Sequence, residues 1–422
     1  MGAITALGHS AGETWNHCLE GKCASAPITR FQADSWPSRW ACEVTLSHER
    51  SSDLSLATEF AWRAAQEAVG QSEIAAYDRD WASRASLYVG AGNGSEGPQE
   101  LVALLRDFSF AKDMKGLAHY LVQQKDLVTM MKKEDPSAAA FFLANFFSIS
   151  RGVATLETAC AAGAQAIAKS YRDVAQGHTT FSIAGGSDSL AGELLFAGFC
   201  LLGVLAPYSE KVPPQSACRP FDKFRTGFVP GEGAGMLFLE DWDHAIQRGA
   251  TIYAEIKGVG ESSNAYRVTD IPEDGRGAQL SMQSCLESGG VLSSEVDYIN
   301  AHGTGTLQND QVEYNIVREL FCDHGAAPRK NPLVMGSNKA SFGHLVAAAG
   351  AVEAVMTVLS LHHQCVPPSL NLEHPLQNPD SELEFANPFK GTSRELRYAI
   401  SNSFGFGGSN CSLLFAKKGA TR

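Results

Sequence analysis

Short apolar runs of β character, several of them ending at glycine, alternate along this chain with segments whose apolar residues recur at helical spacing. Strands are expected at 85–90, 153–156, 181–186 and 236–239, then at 252–256, 296–300, 333–335, 398–402 and 411–415. Helices are expected at 13–19, 56–69, 138–147, in the segment after Cys160, and at 243–247, 278–286, 311–321 and 348–362. Helical periodicity also runs through 101–135, while 24–55 carries few signals and 207–235 reads as a long loop rich in Pro and Gly. The first ten residues read as loop, with little room for an opening strand. Strand–helix alternation restarts after Arg248-Gly249, which divides the chain into halves 1–248 and 249–422. Such a pattern predicts α/β layers around partly parallel sheets, and its repetition predicts an internal duplication that no sequence repeat betrays.

The stretch Leu156-Glu157-Thr158-Ala159-Cys160-Ala161-Ala162-Gly163 puts a cysteine on a strand-to-helix turn among small residues. Unpaired N–H groups and the helix dipole at that position favour an anion, so a lowered thiol pKa and a nucleophilic role are expected for Cys160. Three further motifs end strands. Asn300-Ala301-His302-Gly303-Thr304-Gly305-Thr306 carries a histidine and two hydroxyls. Gly336-Ser337-Asn338-Lys339-Ala340-Ser341-Phe342-Gly343-His344 feeds a helix, so the dipole should keep the His344 imidazole neutral. Asn402-Ser403-Phe404-Gly405-Phe406-Gly407-Gly408-Ser409-Asn410 is dense enough in glycine to expose backbone N–H groups, as an oxyanion hole requires. The glycine-rich loop 92–97 has no following lysine and does not fit a dinucleotide fingerprint.

Composition narrows the partners. With 422 residues, 44% of them hydrophobic, the chain can bury a large core. A net charge of −12 argues against nucleic acid, and any acidic partner must dock on a local basic patch. The ten scattered cysteines read as free thiols in a reducing compartment, with no zinc motif. No apolar run reads as a membrane span and no basic-then-apolar leader opens the chain, so a cytoplasmic protein is expected.

On Thr158-Ala159-Cys160, Asn300 to Thr304, Lys339 to His344 and Asn402 to Gly408, matched in order and spacing, the chain resembles the β-ketoacyl-(acyl-carrier-protein) synthases of the thiolase superfamily, in their elongating Cys-His-His form. The resemblance spans nearly the whole chain. It implies a five-layered αβαβα thiolase-like fold built from two related halves, and a homodimer. It further implies that Cys160 takes the acyl group from an acyl carrier protein, with its own N–H and that of Phe406 as oxyanion hole. His302 and His344 would assist decarboxylation of malonyl-carrier, and Lys339 would pair with Glu353. Thr304 and Thr306 would hold the pantetheine arm, and Phe404 and Phe406 would form a gate. Thr269 would contact substrate, and Asn93 would border the acyl pocket. Asn93 stands where close relatives have an apolar residue, which favours a short or functionalised acyl chain. No metal or soluble cofactor is implied; the substrates ride on the carrier's phosphopantetheine.

Two features depart from the family. Its first strand is missing or cut short, as a misplaced start codon would leave it. The helix near 50–60 lacks the usual basic residues, so Lys132, Lys133, Lys211, Arg219 and Arg225 are the expected docking cations. Rival readings are weaker. A thiolase acting on coenzyme A esters needs a second cysteine within 404–410, and the chain has none there. Starter-type synthases carry asparagine where Gly343-His344 stands. Chain-length-factor subunits lose the nucleophile, although pairing of this chain with such a subunit stays open.

Overall fold

The computed structural model describes residues 1–46, 54–92, 132–133, 135–189, 192–322 and 331–420. Two sheets form its frame. The first holds β1 (Gly2–Thr5), β2 (Ala85–Ala91), β3 (Val153–Leu156), β4 (Phe181–Asp188) and β5 (Gly233–Glu240), in the order β1-β5-β4-β2-β3. The second holds β6 (Glu255–Ser263), β7 (Tyr298–Asn300), β8 (Leu333–Gly336), β9 (Leu383–Phe385), β10 (Tyr398–Phe404) and β11 (Ser409–Ala416), in the order β6-β11-β10-β7-β8-β9. Their pairings match step for step. From β1 the first sheet runs antiparallel, antiparallel, parallel, parallel. From β6 the second does the same and then adds β9. The duplication expected from the strand–helix rhythm is therefore present in the topology.

The main helices are α1 (Ala11–Leu19), α2 (Leu56–Ser72), α3 (Ala138–Phe147), α4 (Ala162–Ala175), α5 (Glu193–Leu202), α6 (Arg276–Gly289), α7 (Leu307–Phe321) and α8 (Ala349–His363). α2 and α3 cover the outer face of the first sheet, where Phe60, Ala64 and Leu143 pack on Leu87, Ile183 and Met236. α6 and α7 cover the second, with Met282, Val317 and Leu320 on Ile299, Met335 and Ile400. α4 and α8 lie between the sheets and touch both, which makes five layers. Every residue of α8 from Ala349 to Leu361 is buried, and α4 buries a run of small residues. Small side chains let the two helices approach closely. A Cβ on Gly163 would stand 2.8 Å from the Ala347 carbonyl oxygen, and one on Gly350 only 2.9 Å from the Ala164 Cβ. Val346–His363 is long and apolar enough to cross a membrane by length and composition alone, but 89% of it is buried, as in a core helix.

Two expectations are corrected, and one helix was not anticipated. The chain does open with a strand: Gly2–Thr5 pairs antiparallel with Gly233–Met236. Its glycine and alanines hid it, yet their small size is what lets α2 pack on it, since a Cβ on Gly2 would meet the Ala64 carbonyl at 2.1 Å. β1 is short beside its nine-residue counterpart β6, so the outer edge of β5 beyond Met236 borders a groove. β6 begins at Glu255, later than expected. The apolar helix α5 had no expectation at all.

Candidate active site

Cys160 follows β3 on a compressed turn. Ala159 adopts φ 48°, a left-handed conformation that costs a non-glycine residue roughly 1–3 kcal/mol, and the 3₁₀ turn Ala159–Ala161 then runs into α4. The thiol is buried, and the Phe406 N–H favours its ionised form. Gly405 lies against the Cys160 turn, with its Cβ position 2.8 Å from the Thr158 carbonyl oxygen. The expected low pKa is overturned. Burial pushes the thiol up to about 11, against the pull of Lys339 and the Phe406 N–H, while Asp188 and Glu353 push it further. Local helix geometry favours the thiolate, but removing it from water costs more.

His344 follows β8 as Cys160 follows β3, and each precedes a central helix, so the two residues occupy corresponding places in the two halves. The His344 ring lies 5.4 Å from that of His302, at 83°. Both imidazoles are buried and held well below the usual histidine pKa, chiefly by burial and then by Lys339. The neutral His344 expected from the helix dipole thus arises mainly by desolvation. Its Nδ1 accepts the Val346 N–H at 3.1 Å, which leaves the ring proton on Nε2. His302 is set from behind by Glu313, whose carboxylate accepts the His302 and Gly303 N–H groups, each at 2.8 Å, and the Asn402 amide at 3.2 Å.

Lys339 is wholly buried between these groups. Its Nζ donates to the His302 carbonyl at 2.5 Å and to Glu353, so the expected pair is formed. Asp310 accepts the Phe221 and Gly305 N–H groups and braces the loop that carries Thr304 and Thr306, whose hydroxyls meet at 2.9 Å. Sequence reasoning missed Glu313 and Asp310. They sit at i and i+3 on α7, a spacing that puts both on one face, directly after the Thr304-Gly305-Thr306 loop.

One cleft is lined by Cys160, His302, His344, Thr304, Thr306, Phe404, Phe406 and Thr269, with Val204 and Phe228 also in its wall. Opposite the glycine-rich loop, Asn264 and Val268 hold it in place: Gly407 N donates to the Val268 carbonyl at 2.6 Å and Asn264 N to that of Gly408 at 2.8 Å. Asn93 lies outside the described residues. Lys132 and Lys211 are exposed and Lys133 is half-buried. Arg219 forms an ion pair with Asp222. Arg225 is corrected as a docking cation: only 5% exposed, it donates to the carbonyls of Thr306, Leu307 and Asp222 and so supports the threonine loop from within. Cys411 is buried in β11 and does not line the cleft, which leaves a thiolase mechanism without its second thiol.

Two family models match the chain. Residues 1–245 match the beta-ketoacyl synthase N-terminal domain and 253–373 the C-terminal domain. This chain belongs to the beta-ketoacyl synthase family. It is 33% identical to the 3-oxoacyl-[acyl-carrier-protein] synthase 2 of Vibrio harveyi over 99% of this chain and 97% of that one. Among solved structures, the ishigamide ketosynthase/chain length factor has a TM-score of 0.81 at 28% identity, covering 99% of this chain and 97% of that one. A type II polyketide ketosynthase, solved with its acyl-carrier protein and bound to the hexaketide, has a TM-score of 0.80 at 27% identity, with 98% and 97% covered.

Proposed function

We propose that this chain is a 3-oxoacyl-(acyl-carrier-protein) synthase that joins an acyl group on Cys160 to malonyl-carrier by decarboxylative condensation. The observation that carries this is the meeting of Cys160, His302 and His344 on one cleft, with Phe406 in its wall. In the first half-reaction the Cys160 sulfur attacks the carrier thioester carbonyl. The N–H groups of Cys160 and Phe406 hold the oxyanion, and the pantetheine thiol leaves with the cysteine's proton. In the second, the malonyl carboxylate departs as carbon dioxide. Nε2–H groups of His302 and His344 hold the enolate oxygen, and the enolate carbon attacks the acyl-cysteine carbonyl. The C–S bond then breaks, Cys160 leaves as a thiolate and takes up one proton from solvent to restore the thiol, and a 3-oxoacyl-carrier leaves. Lys339 and Glu353 order the His302 backbone, Thr304 and Thr306 take the pantetheine arm, and Phe404, Phe406 and Thr269 line its approach.

Residues 1–248 and 249–422 serve as the two halves of one catalytic unit, each supplying part of the site. The carrier protein is the macromolecular partner, with Lys132, Lys133 and Lys211 as its docking cations, and no chemistry falls to a metal or soluble cofactor. A second subunit, identical or of the chain-length-factor kind, completes the assembly in a reducing cytoplasm, where the ten free thiols persist. Incubation with acyl-carrier should add one acyl mass to the peptide containing Cys160. Label on Cys411 or Cys218 instead would overturn the assignment.

A further inference from the structure

One buried carboxylate beside the cleft has no part in the chemistry above. Asp188 ends β4 and is 2% exposed. Its Oδ2 accepts the Ala347 N–H at 3.0 Å, and its Oδ1 accepts the Ser189 N–H at 2.9 Å. Ala347 lies three residues past His344, inside the turn that joins β8 to α8. That turn is strained: Val346 has φ 43°, a left-handed conformation that a β-branched residue seldom adopts. Such strain persists only where the surroundings over-determine it. The Val346 N–H is also the group that His344 Nδ1 accepts, so the strained residue sets the histidine's tautomer. Space around the turn is closed. Cβ positions on Gly163 and Gly186 would stand 2.8 and 2.5 Å from the Ala347 carbonyl oxygen, and one on Gly92 would stand 2.3 Å from Asp188 Oδ2.

We propose that Asp188 is a positioning residue: by accepting the Ala347 N–H it locks the strained Val346 turn, and so fixes the tautomer and aim of His344. The lock crosses between halves, since β4 belongs to the first and the His344 turn to the second. Without the carboxylate, the Ala347 N–H loses its buried acceptor and Val346 can relax out of φ 43°. His344 Nδ1 then loses its donor, and the proton is no longer confined to Nε2. Asp188 has a second effect of opposite sign, because its negative charge is among those that hold the Cys160 thiol up. Removing it disarms His344 while easing ionisation of Cys160. A merely structural residue would depress both half-reactions together.

The inference rests on the roles given above to Cys160 and His344, and the experiment separates the two. Asp188→Ala, Asp188→Asn and His344→Ala are compared for carbon dioxide release from malonyl-carrier and for alkylation of Cys160 by iodoacetamide. Asp188→Ala should lose about 10²-fold in decarboxylation, the scale of a displaced catalytic group, with alkylation as fast as wild type or faster. Asp188→Asn, which keeps one acceptor for two donors, should fall between, and it keeps the test alive should the alanine variant not fold. Decarboxylation at the wild-type rate in either Asp188 variant, with His344→Ala inactive, overturns the proposal alone. So does an equal fall in decarboxylation and alkylation. Full decarboxylation in His344→Ala overturns the role of His344 and this inference with it.

Discussion

Substitution of Lys339 by methionine tests how the centre of the site is held. Methionine fills much of the lysine's volume but removes the ammonium that bonds Glu353 and the His302 carbonyl. Glu353 is 1% exposed, and its carboxyl already stands at about 7 because burial outweighs the pull of Lys339. Without the lysine it is stranded, and breaking a buried pair in this way costs about 3–5 kcal/mol. That is a large part of the roughly 5–15 kcal/mol by which domains are stable. The deficit should depend on pH. Loss of the counter-charge raises the Glu353 carboxyl further, so the stranded group is tolerated while protonated and becomes costly as pH rises. Urea unfolding of Lys339→Met should therefore show a larger deficit at pH 8 than at pH 6. Adding Glu353→Leu removes the stranded carboxyl, and the double variant should regain at least about 1 kcal/mol over the single one, a coupling expected of groups in contact. A double variant as unstable as the sum of the two singles, or a deficit that ignores pH, would refute the reasoning.

Other outcomes follow from the same geometry. His344→Ala should keep self-acylation but lose about 10²–10³-fold in malonyl decarboxylation, since a hydrogen-bond donor to the enolate is gone; radiolabelled carbon dioxide release measures this, and equal loss of both steps would contradict the division of labour. Charge reversal at Lys132, Lys133 or Lys211 should raise the KM for carrier-bound substrate severalfold and leave a small thioester mimic unaffected, and steady-state kinetics with both substrates decides it. The buried carboxyls of Asp188, Glu232, Glu313 and Glu353 all stand at about 7, above their values of 3.8 and 4.5 when unperturbed. The folded state thus holds their protons more tightly than the unfolded one, so stability is fully present below about pH 4 and falls as pH rises through 7. Urea midpoints at pH 6 and pH 8 should show the decline, and a midpoint that rises across that interval would refute it.

Much of this fold was legible because its strands are short, apolar and closed by glycine, a pattern that admits few alternatives. The strand at 153–156 and the helix at 138–147 fall at the predicted residues. What escaped was set by tertiary context. β1 is small-residue backbone that only its partners β5 and α2 turn into a strand. α5 is apolar enough to blur its helical period. Arg225, a cation in a Pro- and Gly-rich loop, reads as surface until the threonine loop closes over it. The Cys160, His302 and His344 motifs were readable because each ends a strand. Glu313, Asp310 and Asp188 were not, because their meaning comes from the backbone N–H groups they face across the fold.

The protonation states also decide how labour divides in the cleft. At neutral pH a thiol at about 11 is almost wholly protonated, and both imidazoles are neutral. Neutral imidazoles are poor bases here, since burial and Lys339 oppose a positive charge on either ring. They remain able to donate a hydrogen bond, His344 from Nε2, because donating needs no added charge. In the proposed reaction the resting site is thus suited to the enolate of the second half-reaction more than to deprotonating Cys160 in the first. In the proposed acylation the driving force comes from groups that favour the developing charge: the Phe406 N–H, which lowers the cost of ionising Cys160, and the N-terminus of α4 that follows it. The duplicated topology makes this division possible. It sets one residue before each central helix, Cys160 in the first half and His344 in the second, the nucleophile and the donor of the proposed reaction, and packs the two helices closely enough that both residues reach the same cleft.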